Sequence, residues 1–424
     1  MTDTVKHSRA PHYGITKTAC YLSYVAQAAL INLWPLFFVL FREAFGLSYV
    51  ELATLVGLNF IVQLGTDLVF SKAADKHGFR PFLLLSSGLV ALGFLMYAAV
   101  PLLTDHPYPG FIAATVVFSL GGGLTEILTS PLIDLIPNDS KSGNMAFFHS
   151  MYAWGQAGVI LLTSLALKLF GNASWQLIVA FWALVPVIEF LMFLRAPMPD
   201  IQAHPKQSSR EIAKGFDFAL CFFIIFFGAG VECTMVQWSS AFMEQAVGLP
   251  KLLGDYAGIM MFALMLGLSR LLHGLFSKKF DLVKYMLVGA AGAILFYPLT
   301  AFSNVPALNL IGCALTGFGA GMLWPGTLVL ASERYPRGGA WLFAILAVGG
   351  DCGAAFCPWL SGLLADNAAK IPFLANLGAG LSPEQLGLRS ALGFSTVYPL
   401  ITVVLLIVFM RRRDQYRPGE GLYA

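Results

Sequence analysis

The sequence predicts an all-α membrane protein of twelve transmembrane helices arranged as two pseudo-symmetric six-helix bundles. Three observations predict it. Hydrophobic residues make up 57% of the 424 positions and charged residues 12%, with a mean hydropathy of +0.73, whereas soluble domains carry about 25% charged residues. Apolar runs of about 20 residues, the length that crosses a bilayer, recur twelve times. The second half of the chain echoes the first at an offset of about 200 residues.

In chain order the runs fall near 14–41, 50–71, 82–103, 110–136, 144–169 and 173–194, then 215–244, 252–276, 283–301, 306–331, 339–366 and 388–411. A polar stretch over 195–214, with three prolines and four basic residues, separates residues 1–194 from residues 215–424 and reads as a linker between the bundles. The echo is local as well. Phe41–Leu47 pairs with Phe242–Leu249, Phe70–Gly78 with Phe276–Asp281, and 121–137 with 319–336.

The net charge of +3 says little, but its placement sets orientation. With the N-terminus inside, twenty of the 26 Lys and Arg fall in inner loops and termini, five fall outside, and Arg270 lies within a span. The positive-inside rule therefore puts both termini in the cytoplasm and the chain in the cytoplasmic membrane. No cleavable leader is expected, because the first residues are polar. The six cysteines all fall in spans without metal-type spacing and read as small apolar residues. A phosphate-cradling loop, a nucleophile–base constellation and a basic nucleic-acid surface are all lacking, which excludes ATP-driven chemistry, enzymes and nucleic-acid binders. The expected partners are the lipid bilayer and a small solute, for a monomer without a cofactor.

The loop after the second run reads Ser71-Lys72-Ala73-Ala74-Asp75-Lys76-His77-Gly78-Phe79-Arg80. It resembles the Gly-x-x-x-Asp-Arg/Lys-x-Gly-Arg/Lys motif of the major facilitator superfamily, with Ser71 in place of the first glycine, and the two six-span halves extend the resemblance over nearly the whole chain. The resemblance implies secondary transport by alternating access, with Asp75, Gly78 and Arg80 gating the cytoplasmic side. The glycine-rich run with Gly-Pro that marks the fifth span of drug:proton antiporters is missing from 144–169.

The fourth run carries the most informative pattern. Gly122, Glu126, Ser130 and Asp134 recur every four residues and share one stripe of a helix. An ionised side chain cannot face hydrocarbon cheaply, so the stripe faces protein or a water-filled cavity. Gly121-Gly122-Gly123 lets a neighbouring helix come close beside it. Glu126-Ile-Leu-Thr-Ser-Pro131 resembles the Glu-x-x-x-Asn-Pro setting of the fucose/galactose/glucose:proton symporter branch, with Ser130 for the asparagine. That branch has an acid in its first span, where this chain offers Asn32 and Trp34.

Other spans add candidates for the same cavity. Asn59 and Gln63 lie at i, i+4 in the second, and His149, Tyr152 and Gln156 share one face of the fifth. In the seventh, Glu232 follows Gly228-Ala229-Gly230, with Gln237 and Trp238 farther on. Trp324-Pro325 marks a kink in the tenth. A histidine or tryptophan in a span is as often part of the core, or an interfacial anchor, as a ligand group. Amides and aromatic rings together suit a sugar, whose hydroxyls bond while its apolar face stacks. Glu126, Glu232 and His149 are the expected proton carriers, with sodium the other candidate coupling ion. Arg270 is expected in a structural ion pair with Asp351 or Glu333. The expectation is proton-coupled symport of a sugar-like solute. An organic-anion carrier built on Arg270 and a solute sensor without flux are the alternatives.

Overall fold

A computed structural model describes residues 13–137, 141–199, 209–276, 280–335, 339–378 and 380–413; the side chains of 71–77, 134, 141–146, 209–210, 339–340 and 377 fall outside it, and with them the readings of Asp75 and Asp134. Every regular element among the described residues is helical. Among the described residues twelve helices are long and apolar enough to cross a membrane: Gly14–Phe45, Tyr49–Phe70, Phe79–Leu103, Tyr108–Ile133, Phe147–Phe170 and Asn172–Arg195 form the first set, and Phe216–Ala246, Lys251–Phe276, Leu282–Phe302, Pro306–Arg334, Trp341–Lys370 and Pro383–Arg413 the second. They are called spans 1 to 12 below. An even number of crossings brings Gly14 and Arg413 to one face, the N-terminal face.

Spans 1 and 10 are among those broken where the sequence places proline. Span 1 runs as α-helix over Gly14–Asn32, tightens to a 3-10 turn over Trp34–Phe37 around Pro35, and resumes at Phe38. Span 10 is helical over Pro306–Ala320 and again over Leu323–Arg334. Pro325 has no N–H to give the carbonyl four residues back, so the carbonyl of Gly321 is freed there. The loop before span 12 holds a short helix, Pro372–Leu377, and span 12 itself starts with a capping box in which Ser382 and Gln385 bond each other's backbone N–H.

The glycine-rich stretches show why the halves echo each other. A Cβ at Gly121 would lie 2.6 Å from the Ser86 carbonyl on span 3, and one at Gly123 would lie 2.9 Å from the Gln63 carbonyl on span 2. In the second bundle a Cβ at Gly319 would lie 2.5 Å from the Gly289 carbonyl on span 9, and one at Gly321 would lie 2.6 Å from Ser269 Cβ on span 8. Gly121 thus corresponds to Gly319 and Gly123 to Gly321. In each bundle the fourth helix presses bare backbone onto the second and third, which suits membrane packing, where close van der Waals contact replaces hydrophobic drive.

The bundles meet mainly where span 2 packs on span 11 and span 5 on span 8. On the face opposite the N-terminus, Tyr49 donates to Glu384 (2.6 Å), the Val50 N–H donates to Asp366 (2.9 Å), and Ser164 donates to Asp255 (2.7 Å). The loop entering span 3 turns at Gly78, whose φ of +81° lies in the left-handed region that favours glycine. Arg80 donates to the Ala196 carbonyl (2.6 Å) at the end of span 6. Among the described residues this bond ties two elements of one bundle.

A methyl group at Gly121 has no flexible neighbour to displace. Gly121→Ala should destabilise the detergent-solubilised protein by about 1–3 kcal/mol, the usual range for overpacking. Gly88→Ala, where nothing lies within 4 Å of the new Cβ, should be neutral. Thermal unfolding of the two variants side by side checks this, and equal effects would contradict the packing argument.

Candidate functional site

A chain of uncharged polar side chains runs through the first bundle. Gln27 on span 1 donates to Gln63 (2.7 Å), Gln63 donates to Asn59 one turn away (2.8 Å), and Ser119 on span 4 donates to the same Asn59 oxygen (2.8 Å). Beside it, Gln156 donates to Asn32 (2.8 Å) and Asn32 donates to the Tyr152 hydroxyl (3.2 Å). The i, i+4 spacings seen in the sequence create this arrangement, since each pair, Asn59 with Gln63 and Tyr152 with Gln156, presents two polar groups on one helix face. Not every group is met. Gln156 Oε1 and both amide atoms of Gln237 are buried without a partner among the described residues. A buried amide left unmet costs about 1–3 kcal/mol, and a polar ligand removes that cost.

The second bundle contributes an ion pair. Arg270 Nε donates to the Gly321 carbonyl (2.9 Å), the one Pro325 leaves free, and its Nη2 meets Glu232 at 3.2 Å. This corrects the pairing expected with Asp351 or Glu333. The freed carbonyl on span 10 anchors the guanidinium and aims its fork at span 7, whereas Asp351 lies on span 11 and turns towards span 2. Glu232 is consequently held by a cation in this arrangement. The guanidinium acts electrostatically on Tyr24, His149 and Tyr152 across the bundle boundary. His149 packs against the Tyr24 ring, with centroids 5.4 Å apart.

Three carboxyl groups gather elsewhere. Asp67 on span 2, Glu126 on span 4 and Asp351 on span 11 each offer an oxygen within 4.8 Å of the other two. Asp67 is wholly buried with neither oxygen hydrogen-bonded among the described residues, and one oxygen of Asp351 is likewise unmet. Glu126 is half-buried. Of the three, only Glu126 stood out in the sequence as a functional acid. Asn59, Gln63 and Asp67 recur every four residues, and that spacing could have put Asp67 on the polar stripe.

The tryptophans stand apart from these groups. Trp34 stacks between Tyr97 and Phe118, with centroids 4.0 and 5.2 Å away. Trp238 is 1% exposed, donates to the Pro358 carbonyl (3.1 Å) and packs on Phe38 and Tyr49. Both are core residues, Trp238 at the seam between bundles, because a large ring in a span gains most by excluding lipid from helix contacts. Trp324 lies over Gly350, where a Cβ would overlap its ring.

Comparison with known proteins gives this architecture its class. The sequence pattern described as Major Facilitator Superfamily matches residues 20–281, and the chain belongs to that family of membrane transporters. A hexose transporter, HXT13 of Saccharomyces cerevisiae, is 23% identical over 173 residues, which is 40% of this chain and 30% of the yeast protein. This chain thus matches less than a third of the length of that relative. Among solved structures, a bacterial homologue of the human lysosomal transporter Spinster superposes with a TM-score of 0.75 at 14% identity, over 97% of this chain and 100% of that one. A D-xylose–proton symporter gives 0.74 at 15% identity over 94% and 97%. The nucleoside transporter NupG gives 0.71 at 13% over 93% and 98%. These likenesses are of fold.

Removing Arg270 alone strands Glu232 as an unpaired buried carboxylate and leaves the Gly321 carbonyl unmet. Arg270→Gln should lower stability by about 3 kcal/mol, and Arg270→Gln with Glu232→Gln should restore part of the loss. Thermal unfolding in detergent across this double-mutant cycle measures the coupling. Strictly additive effects would show that the pair does not act as a unit.

Proposed function

We propose that this protein carries a small, hydroxyl-rich solute, a sugar or sugar-like compound, across the cytoplasmic membrane by proton-coupled symport. The observation that carries the reading is the set of buried amide atoms without partners among the described residues, on Gln156 within the Asn32–Tyr152–Gln156 group of one bundle and on Gln237 in the other. Neutral donors and acceptors suit hydroxyl groups. The names of two fold neighbours, a D-xylose–proton symporter and a nucleoside transporter, agree with that chemistry. Arg270 is engaged by Glu232 and by backbone, which leaves little for an anionic substrate.

Transport follows from rocking of the two bundles about the solute. Opening the outer face breaks the Tyr49–Glu384 and Val50–Asp366 bonds, and opening the N-terminal face parts Asp351 from Asp67 and Glu126. Glu126, half-buried in the first bundle, takes up the coupling proton. The positive charge of the inner loops puts the N-terminal face in the cytoplasm, and the protein works as a monomer.

Uptake of labelled pentoses, hexoses and nucleosides into proteoliposomes, with and without an inward proton gradient, tests this. Wild type should show gradient-driven uptake, and Glu126→Gln should fall to the gradient-free rate. Gln156→Ala and Gln237→Ala should each raise the half-saturating concentration about tenfold, the worth of one good hydrogen bond. Uptake in the wild type that ignores the gradient would remove the coupling. Failure of every polyhydroxylated solute, in protein that is demonstrably folded, would remove the substrate class.

A further inference from the structure

We infer that Asp67, Glu126 and Asp351 together form a binding site for a hard, oxygen-seeking cation of the sodium or calcium size, assembled only when the two bundles close at the N-terminal face. The proposal rests on the transport reading insofar as the bundles must part there. Geometry supports the ion size. Ligand distances of about 2.3–2.6 Å put opposed oxygens roughly 4.6–5.2 Å apart and adjacent ones closer, so three oxygens within 4.8 Å of one another are near enough to share one such ion. Magnesium, with strict octahedral demands and a reluctance to shed its waters, suits an all-carboxylate cage less well.

Burial supplies the independent observation. Asp67 is fully buried, and both of its oxygens lack any hydrogen-bond donor; Asp351 is 2% exposed and has one oxygen in the same condition. Among the described residues none of the three carboxyl groups takes part in an ion pair. Among the described residues the other fully buried carboxyl groups are met, and the unbonded Oε2 of half-buried Glu244 faces Lys251 Nζ at 3.9 Å. Glu189 accepts from Ser87, Asp255 from Ser164 and Ser240, and Glu232 pairs with Arg270. The cluster is thus the place where acceptor oxygens converge with no protein donor to meet them. Carbon and nitrogen chemistry offers no substitute, because all three groups supply only oxygen, the ligand atom of hard cations. Glu126, half-buried, gives the ion its way in.

Two ligands come from spans 2 and 4 of the first bundle and the third from span 11 of the second. Separation of the bundles at this face removes a ligand, so occupancy and closure are linked: an ion that binds only the closed arrangement stabilises it by mass action. Sodium or calcium and the coupling proton then compete for Glu126, since a carboxyl oxygen cannot hold both.

The test uses the full chain, purified in detergent after chelator treatment and held at constant ionic strength with choline chloride. Sodium chloride, calcium chloride and magnesium chloride are titrated in separate arms while thermal unfolding is followed. The expected result is a saturable rise of a few degrees with sodium or with calcium, the effective arm naming the ion. Asp67→Asn and Asp351→Asn should abolish the rise, and Glu189→Gln should keep it. No response beyond choline, a response to magnesium alone, or a rise that survives in both asparagine variants would overturn the site. Proton-driven uptake measured without sodium or calcium separates the two readings. If that uptake fails while the ion effect persists, the symport reading falls and the site stands; the reverse outcome removes the site alone.

Discussion

In a bilayer no water meets a stray polar group, so each must be answered by the protein itself, and the centre of the second bundle is organised by one such demand. Pro325 leaves the Gly321 carbonyl without its helical donor, and Arg270 supplies the replacement through Nε. A guanidinium placed there carries charge into the membrane and needs an anion, which Glu232 provides at 3.2 Å. The kink in span 10, the orientation of span 8 and the charge on span 7 are thus consequences of one missing N–H.

The two bundles share a packing scheme and differ in chemistry. Both press the glycines of their fourth helix onto the second and third, at Gly121 and Gly123 and again at Gly319 and Gly321. The first bundle then fills its interior with neutral amides, linked through Gln27, Gln63, Asn59 and Ser119, while the second uses the Arg270–Glu232 pair. Neutral amides suit a solute that must be released, because hydrogen bonds to them exchange easily with water. A charged pair close by fixes the helices that surround them.

Much of this was legible in the sequence because it depends on local spacing. Twelve apolar runs, the break at Trp324-Pro325, the close approach at Gly121-Gly122-Gly123 and the stripes of Asn59–Gln63 and Tyr152–Gln156 all follow from period and residue type. Contacts between different helices were not legible. Nothing in the spacing of span 8 says that Arg270 meets Glu232 before Asp351, and nothing in span 11 says that Asp351 meets Asp67 and Glu126. The first pairing depends on how helices pack within one bundle, the second on how the two bundles come into register. Tryptophan stayed open for another reason: an indole serves a core and a binding cavity equally well, and its neighbours, such as Tyr97 and Phe118 around Trp34, are distant in sequence. Arg80 matched a motif, yet its bond to Ala196 depends on where span 6 ends.

The seam between spans 2 and 11 has a mechanical consequence. Its middle is built of small residues: the Cβ position of Gly57 lies 3.5 Å from the Ala355 carbonyl, and that of Gly362 lies 3.1 Å from Ala53 Cβ. Smooth surfaces of this kind can roll on each other without unhooking a side chain. Among the described residues the polar contacts lie towards the two ends: the Val50 N–H donates to Asp366 at one, and the carboxyl groups of Asp67 and Asp351 approach each other, without a bond between them, at the other. In the proposed rocking cycle the seam is the fulcrum of a see-saw, on which a load added at either end is felt as lift at the other.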